Sequence, residues 1–374
     1  MRAMIGKILK KLGLGHATFR LVAPVYSAKY KRTAAGSPEK AMTLLQETSP
    51  DTGSSCCIPP RPLPEAAGAE LDIIVPAYNT EQYISRCVSS VLEQETKYRF
   101  RLIVVDDGST DDTGAILDSF PGLTVIHQEN RGFSGARNRG LELADAEYLM
   151  FLDSDDVLCP GAIEALMSAA RENGADIAEG GYVEVDMEGK LLRRHRRAAG
   201  IGPATDCFGY PWGKVMKRAL FEKLAFPKDY WYEDSVMRQV VYPLVLTGGG
   251  KSVGVDQDVV LYTQNRSGIT KMSKGKSKSL DSLYITLRLF EDRKQLGLPL
   301  TKEYYDYLLG MAVQTYSRTH RQSQAVQQAV FTVYAGFLQR NFPDRHTGNR
   351  RLACLEKALR TGDYGSYLAY CKLH

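Results

Sequence analysis

From Leu71 onward, short apolar runs that end in polar residues alternate with amphipathic segments of helical period. Four of these runs are predicted to be strands: Asp72–Pro76, Arg101–Val105, Leu123–His127 and Tyr148–Leu152. Apolar residues at helical spacing follow the first strand, between Ile84 and Leu92. This alternation is typical of an α/β fold with a mostly parallel sheet. Ligands bind beyond the carboxyl ends of such strands, so that edge is the candidate site.

The flanking segments have other patterns. Residues 1–32 combine lysines with apolar residues at helical spacing, which fits a helix on an anionic membrane surface and fits an ordinary packing helix equally well. Residues 33–69 are rich in Ser, Thr, Pro, Gly and Ala and are predicted to be a linker. Residues 275–374 carry only helical stripes. We therefore expect an α/β domain at 70–274 and a helical C-terminal subdomain at 275–374.

Composition narrows the class of protein. The 374 residues, 44% of them hydrophobic, suffice for one large domain and a smaller unit. Seven cysteines without ligand spacing fit neither a disulfide framework nor a zinc site, which predicts a cytoplasmic protein. The basic residues lack interleaved aromatics, so nucleic-acid binding is not expected. No apolar run is long enough to predict a transmembrane helix.

An acidic cluster follows the last of the four predicted strands. Asp153 and Asp155 flank Ser154 there, and their carboxylates would repel each other unless a cation compensated them. Mg²⁺ or Mn²⁺ prefers one or two carboxylates together with ligand phosphates, so a metal-bound diphosphate fits this position. A surface turn or helix cap is the alternative interpretation.

Two further polar segments follow predicted strands. Asp106 and Asp107 come after the second strand, where a carboxylate can accept hydrogen bonds from a base or a ribose, or can cap the next helix. In the segment after the third strand, Gly135 allows close backbone approach, and Arg131 and Arg137 could meet phosphate. A solvated basic loop is the alternative for that segment.

The motifs IIVPAYNTEQYI, VVDDGSTDDT, QENRGFSGARNRGL and YLMFLDSDD together resemble the inverting family-2 glycosyltransferases in order and spacing. The resemblance covers about Leu71 to Thr270. It implies a Rossmann-like GT-A fold and metal-dependent transfer of a hexosyl or N-acetylhexosaminyl group from a nucleotide-diphosphate sugar, commonly a UDP-sugar, to an acceptor hydroxyl. By analogy with the family, the acceptor would be a bacterial cell-envelope glycan or lipid-linked oligosaccharide, with the enzyme at the inner membrane face. No QxxRW signature is present, which favours transfer of one or a few sugars.

The resemblance also implies roles for individual residues. Asp153 and Asp155 would serve the ribose and the metal. Trp212 and Lys214 would line the acceptor or diphosphate side. The remaining positions of the nucleotide-sugar site would be Pro76, Tyr78, Glu81, Asp106, Asp107, Gly135, Arg137, Asn138, Ser154, Arg266 and Ser267.

The catalytic base is expected in the acidic ED motif of the family, which Tyr232-Glu233-Asp234 matches. Single displacement with inversion needs a carboxylate that takes the proton from the attacking hydroxyl. We predict that Asp234 is this base and that Glu233 orients it or replaces it. Both residues could instead cap a helix over 235–242.

Two other classes of protein remain open from the sequence. A haloacid-dehalogenase-like phosphatase would use Asp153 as its nucleophile, because Asp153 to Val157 also fits the motif DxDx[TV]. A non-catalytic sugar-nucleotide-binding protein would be favoured if the metal carboxylates paired with internal arginines, or if Asp234 were buried away from the site.

Overall fold

The computed structural model describes residues 15–30, 36–61, 68–265 and 275–373. The chain forms two compact units. The sheet unit contains Gly53–Gly268 and Arg288–Leu298, and the helical unit contains the remaining residues.

The strands and helices are numbered in chain order. The strands are β1 Leu71–Ala77, β2 Phe100–Asp106, β3 Thr124–His127, β4 Tyr148–Phe151, β5 Val157–Leu158, β6 Ile177–Val185, β7 Leu191–His195, β8 Gly200–Gly202, β9 Lys214–Lys217 and β10 Ser252–Thr263. The α-helices are α1 Gly15–Tyr30, α2 Pro38–Thr48, α3 Ile84–Leu92, α4 Thr113–Asp118, α5 Gly132–Leu143, α6 Ala162–Asn173, α7 Tyr242–Thr247, α8 Asp281–Gln295, α9 Lys302–Thr319, α10 Gln324–Asn341, α11 Ala353–Arg360 and α12 Tyr364–Leu373. Three 3₁₀ segments, Ala204–Asp206, Arg218–Phe221 and Ser277–Leu280, and one π-helical segment, Met237–Val241, complete the described elements.

The predicted parallel core of the sheet is confirmed. The order β3-β2-β1-β4 is parallel throughout. Ala77 at the end of β1 pairs with Asp106, which in turn pairs with His127 at the end of β3. The polar segments that follow these strands therefore meet at one edge, as the sequence pattern predicted.

The second half of the sheet is mixed and was not predicted. It continues beyond β4 as β9-β6-β10-β5, with β9 antiparallel to both β4 and β6. An isolated bridge pairs Phe151 of β4 with Trp212 just before β9. This pairing carries the segment around Trp212 to the end of the strand that precedes Asp153.

The core of the sheet unit lies between the sheet and its helices. On α3 the residues Ile84, Cys87, Val88 and Val91 are fully buried, in agreement with the predicted apolar stripe. Leu92, at the end of that stripe, is 40% exposed. Burial of such side chains supplies the main favourable free energy of folding.

Part of the segment 33–69, which was predicted to be a linker, has regular structure. Residues Pro38–Thr48 form α2, which Ser37 caps by accepting a hydrogen bond from the Lys40 amide. Proline in the first turn of a helix is compatible with helix formation because its missing N–H would have no intrahelical partner there. Further along, Cys57 forms a β-bridge with Leu224. Residues 33–35 and 62–67 lie outside the described part of the chain.

The N-terminal helix α1 belongs to the helical unit together with the predicted C-terminal helices. Phe19 lies edge-on against Tyr370 of α12 at 6.0 Å, and Tyr30 lies edge-on against Tyr364 at 5.8 Å. This part of the 1–32 segment therefore packs as an ordinary helix, while residues 1–14 are outside the described residues. None of the helices in the described ranges combines the length and apolarity that crossing a bilayer requires.

Candidate active site

The site is organised around a buried arginine, Arg137 on α5. Its Nη2 donates a hydrogen bond to Asp153 Oδ1 at 2.7 Å, and its Nη1 donates to Glu233 Oε1 at 2.5 Å. Burial alone would lower the pKa of Arg137, but the two carboxylates raise it above its usual value. Arg137 is therefore a fixed cation between two acidic segments. This differs from the prediction that Arg137 meets phosphate, because both terminal nitrogens are already engaged.

The two predicted metal carboxylates differ in their surroundings. Asp153 has the Arg137 partner just described, whereas Asp155 makes no ion pair with any described residue. Burial, followed by repulsion from Asp153, raises the pKa of Asp155 to about 6, against a smaller lowering effect of a hydrogen bond from Asn265. Pairing of the metal carboxylates with an internal arginine would favour a non-catalytic protein. Among the described residues this pairing is found for Asp153 and not for Asp155. Asp155 keeps a poorly compensated negative charge.

The third carboxylate of the cluster, Asp156, has a structural role. Its side chain is fully buried, and Oδ1 accepts a hydrogen bond from the Thr263 amide at 2.8 Å. Burial and the neighbouring carboxylates Asp155 and Asp153 raise the pKa of Asp156 well above its usual value. Asp156 thus ties the end of β10 to the end of β4. Between the acids, Ser154 is buried at 7% exposure.

The ED motif lies at the start of the helical segment that leads into α7. Tyr232 has a left-handed backbone (φ 73°), which is unusual for a side chain with a Cβ. Glu233 is buried, and burial raises its pKa to about 7 although Arg137 opposes the shift. Asp234 is half-buried. The π-helical segment Met237–Val241 follows, a feature that is frequent near functional sites.

Asp106 and Asp107 are buried and hold the surrounding loops. Their hydrogen-bond partners are Ser109 N and His127 Nδ1 for Asp106, and Gln128 Nε2 and Arg131 N for Asp107. Both oxygens of Asp106 are engaged, whereas both bonds to Asp107 go to Oδ1. Asp107 is thus the better placed of the two for a ligand. Asp106 holds the turn at Ser109, whereas the alternative interpretation had it cap the next helix, whose N-cap is Asp112.

The loops after β1 and β2 are joined by a set of hydrogen bonds. Asn79 N donates to Ser109 Oγ at 3.0 Å, and Thr110 N donates to Asn79 Oδ1 at 2.8 Å. Glu81, predicted to border the nucleotide, instead accepts a hydrogen bond from the Asp112 amide at 3.0 Å. Tyr78 is 47% exposed at this edge. Tyr78 and Glu81 are thus both exposed, and Glu81 is held to the neighbouring loop.

Three other predicted ligand residues lie within the framework of the site. Pro76 is buried within β1. Asn138 forms a pair of 2.8 Å hydrogen bonds with the backbone of Phe226, one from its amide nitrogen and one to its oxygen. A Cβ at Gly135 would lie 2.5 Å from the Cβ of Arg131, so glycine is required by the turn that precedes it. These residues position the site, and none of them exposes a polar side chain to it.

Trp212 lies between two other aromatic rings. Of this aromatic stack, Trp212 alone was predicted from the sequence. Its ring lies 4.7 Å from that of Tyr210 and 5.3 Å from that of Tyr262, both nearly parallel to it. Tyr182 meets the Trp212 ring edge-on at 5.0 Å. Burial and the charges of the Asp153–Asp156 cluster raise the pKa of Tyr262, which places this stack beside the acidic cluster. The one sequence signal for Tyr262 is its position four residues before Arg266, which the family resemblance places in the site.

Lys214 lies elsewhere than predicted. The side chain is completely buried, and Nζ donates to Glu179 Oε1 at 2.5 Å, to Tyr242 Oη at 2.7 Å and to Phe208 O at 2.9 Å. An ammonium group has three donors, so none remains for a ligand. Arg266 and Ser267 lie outside the described residues, and the structure says nothing of their predicted role.

Comparison with known proteins agrees with this architecture. The family described as Glycosyl transferase family 2 matches residues 72–230. The chain is 28% identical over 254 residues to the glycosyltransferase GlyG of Streptococcus pneumoniae, covering 62% of this chain and 83% of GlyG. It is 27% identical over 242 residues to the poly(ribitol-phosphate) beta-N-acetylglucosaminyltransferase TarP of Staphylococcus aureus, covering 63% of this chain and 62% of TarP.

A solved structure supports the fold independently. TarS of S. aureus, in a crystal structure with UDP-GlcNAc, superposes with a TM-score of 0.60 at 19% identity, covering 80% of this chain and 89% of that chain. At that level of identity the likeness shows the fold, which is GT-A. A phosphatase of the haloacid-dehalogenase type is thereby set aside. The protein is a glycosyltransferase, and its residues 72–230 form a domain of glycosyl transferase family 2.

Proposed function

We propose that the chain transfers a sugar from a UDP-sugar to a hydroxyl of a cell-envelope glycan or lipid-linked acceptor, by metal-assisted single displacement with inversion. The observation that carries this proposal is the pairing of Arg137 with both Asp153 and Glu233. One guanidinium spans the acidic end of β4 and the ED motif. The groups needed for holding the donor and for activating the acceptor are therefore close neighbours.

The carboxylates at the end of β4 fit a divalent cation. Asp155 makes no ion pair with a described residue, and burial together with the neighbouring Asp153 raises its pKa although the charge of Arg86 opposes the shift. Mg²⁺ and Mn²⁺ take carboxylate oxygens of this kind and complete their shell with water and phosphate. A cation held by Asp155 and Asp153 would neutralise charge on the departing diphosphate.

Asp234 is proposed as the base and Glu233 as a positioning residue. Glu233 Oε1 is bound to Arg137, which fixes the orientation of that side chain. Asp234 is the more exposed of the two and is the one that can reach an acceptor hydroxyl. Its carboxylate would take the hydroxyl proton as the oxygen attacks the sugar carbon from the face opposite the diphosphate.

The aromatic stack around Trp212 supports a carbohydrate acceptor. Tyr210 is 39% exposed, so part of the stack faces solvent beside the acidic cluster. Flat aromatic faces with a few polar groups are typical of binding sites for small organic molecules, sugars included. TarP is an N-acetylglucosaminyltransferase and TarS was solved with UDP-GlcNAc, so UDP-N-acetylglucosamine is the first donor to test. We place the activity on the cytoplasmic side of the membrane, with residues 1–32 as a proposed contact.

The proposal is tested by release of nucleotide diphosphate. Purified protein is incubated with UDP-, GDP- and dTDP-sugars and an acceptor extract, with Mn²⁺, Mg²⁺ or a chelator. Wild type is compared with Asp155→Ala and Asp234→Asn, and Glu142→Gln serves as control because Glu142 is an exposed carboxylate on α5 that forms an ion pair with the exposed Arg139.

UDP release that requires metal, is lost in both site variants and survives in the control is the expected result. The anomeric configuration of the product, determined by NMR, would show inversion. Equal release with and without metal would overturn the metal assignment. Full activity of Asp234→Asn would overturn the assignment of the base.

A further inference from the structure

A second group of metal-ligand side chains lies in the sheet unit, in addition to the acidic cluster. Cys56 Sγ, Cys57 Sγ and a carboxylate oxygen of Asp292 on α8 all lie within 4.8 Å of one another. Cys56 and Asp292 are buried, and Cys57 is half-buried. The sequence does not reveal this group, because Asp292 lies 236 residues after Cys56.

Hydrogen bonds orient the group. Ser55 Oγ donates to Asp292 Oδ1 at 2.7 Å and accepts from the Cys57 amide at 2.9 Å. The Cys56 amide donates to Asp292 Oδ2 at 2.9 Å. Adjacent residues of an extended chain point to opposite sides, but a bend at Cys56 turns both thiols toward the same carboxylate. Outer contacts of this kind orient the ligands of metal sites.

The charge of the group is not balanced. The hydrogen bonds to Asp292 come from a hydroxyl and a backbone amide, both neutral, and within the described ranges no Lys, Arg or His forms an ion pair with it. A buried carboxylate without a cation is costly.

We propose that Cys56, Cys57 and Asp292 bind one Zn²⁺ ion, with water at the fourth position. The two thiols release their protons to solvent as the two Zn–S bonds form. Two thiolates and one carboxylate suit a thiophilic ion, whereas the oxygen-only pair Asp153 and Asp155 suits Mg²⁺ or Mn²⁺. The half-buried position of Cys57 leaves a path for water.

The ion would link two segments of the sheet unit. It would join the segment that carries Cys56 and Cys57 to Asp292, which lies in the part of α8 that belongs to the sheet unit. Bound metal stabilises the folded state by an amount that grows with the logarithm of its concentration relative to its dissociation constant. Because thiols must lose protons, the affinity for zinc would rise with pH.

The test uses the full chain, stripped with a chelator, titrated with Zn²⁺, desalted and analysed for bound metal. We expect one equivalent per chain in wild type and in Asp155→Asn. Cys57→Ser and Asp292→Asn should each weaken binding at least tenfold. Cys354→Ser is the matched control, since Cys354 is a half-buried thiol outside the group. Substitution with Co²⁺ should give a thiolate-to-cobalt charge-transfer band in wild type, a readout that needs no variant.

A wild-type protein that keeps no zinc and shows no charge-transfer band would overturn the proposal. So would equal loss of zinc in Cys354→Ser and Cys57→Ser. The zinc measurement does not depend on sugar transfer, so its failure is distinguishable from failure of the proposed function.

Discussion

Arg137 donates a 2.5 Å hydrogen bond to Glu233, a residue 96 positions later in the chain, from a guanidinium that is almost completely buried. The same guanidinium holds Asp153. A single residue on α5 thus links the segment after β4 to the segment before the π-helix.

Replacing Arg137 with Gln should destabilise the fold. The change leaves Glu233 and Asp153 without their cation, and loss of one partner of a buried ion pair costs about 3 to 5 kcal/mol. The free energy of unfolding, measured with urea, tests this. Arg139→Gln is the control on the same helix, because the exposed Arg139–Glu142 pair contributes about 0 to 1 kcal/mol. Equal effects of the two substitutions would contradict the bridging role of Arg137.

Asp155 should make metal binding and stability depend on pH. Its folded-state pKa of about 6 lies above the ordinary value of 3.8, so the metal-free protein loses stability as pH rises through this window. Asp155→Asn removes that charge. The variant should be more stable than metal-free wild type at pH 8 and should match it near pH 3.5.

The affinity for metal should rise as pH rises, since protons compete with the cation for Asp155 below pH 6. Calorimetric titration with Mn²⁺ between pH 5 and pH 8 measures this dependence, and Glu142→Gln provides the control. A flat affinity profile in wild type would count against Asp155 as a ligand.

Asp234→Asn should lower kcat while leaving metal-dependent binding of UDP intact. Loss of a general base costs about 10²- to 10⁴-fold in rate. Glu233→Gln should instead lower both kcat and stability, because it removes a partner of buried Arg137. Initial rates together with UDP affinities separate the two roles. If Glu233→Gln lost only kcat and Asp234→Asn lost nothing, the two assignments would be reversed.

Much of the fold was predictable because its signals are local. Apolar runs such as Tyr148–Phe151 mark strands covered on both faces, and acids directly after such a run must lie at a strand end. The strand β9 has only four residues, and its antiparallel place between β4 and β6 depends on long-range pairing. No local pattern encodes that place.

Side-chain partners were harder to predict than positions. Arg137 was predicted to meet phosphate, but its pairing with Glu233 and Asp153 depends on how α5 packs. Lys214 is a similar case. The family resemblance implied that Lys214 lines the acceptor or diphosphate side, whereas Glu179 on the neighbouring strand β6 provides a buried counter-charge.

Lys214→Met tests this corrected location. Removing the ammonium leaves Glu179 buried with only Arg197 as cation, so we expect a loss of about 3 to 5 kcal/mol in the free energy of unfolding. Lys217→Met on the same strand is the control, because the Lys217–Asp176 pair is partly exposed. Unchanged stability of Lys214→Met with a selective loss of UDP binding would restore the ligand role first predicted for it.

The reciprocal hydrogen bonds between the loops after β1 and β2 have a consequence for engineering. Asn79 forms hydrogen bonds with Ser109 and Thr110, and Glu81 accepts one from the amide of Asp112. Each loop therefore stabilises the conformation of the other. A loop transplanted alone from a relative with a different donor would arrive without its counterpart. Donor specificity in this chain should therefore be redesigned by exchanging the two loops as a pair.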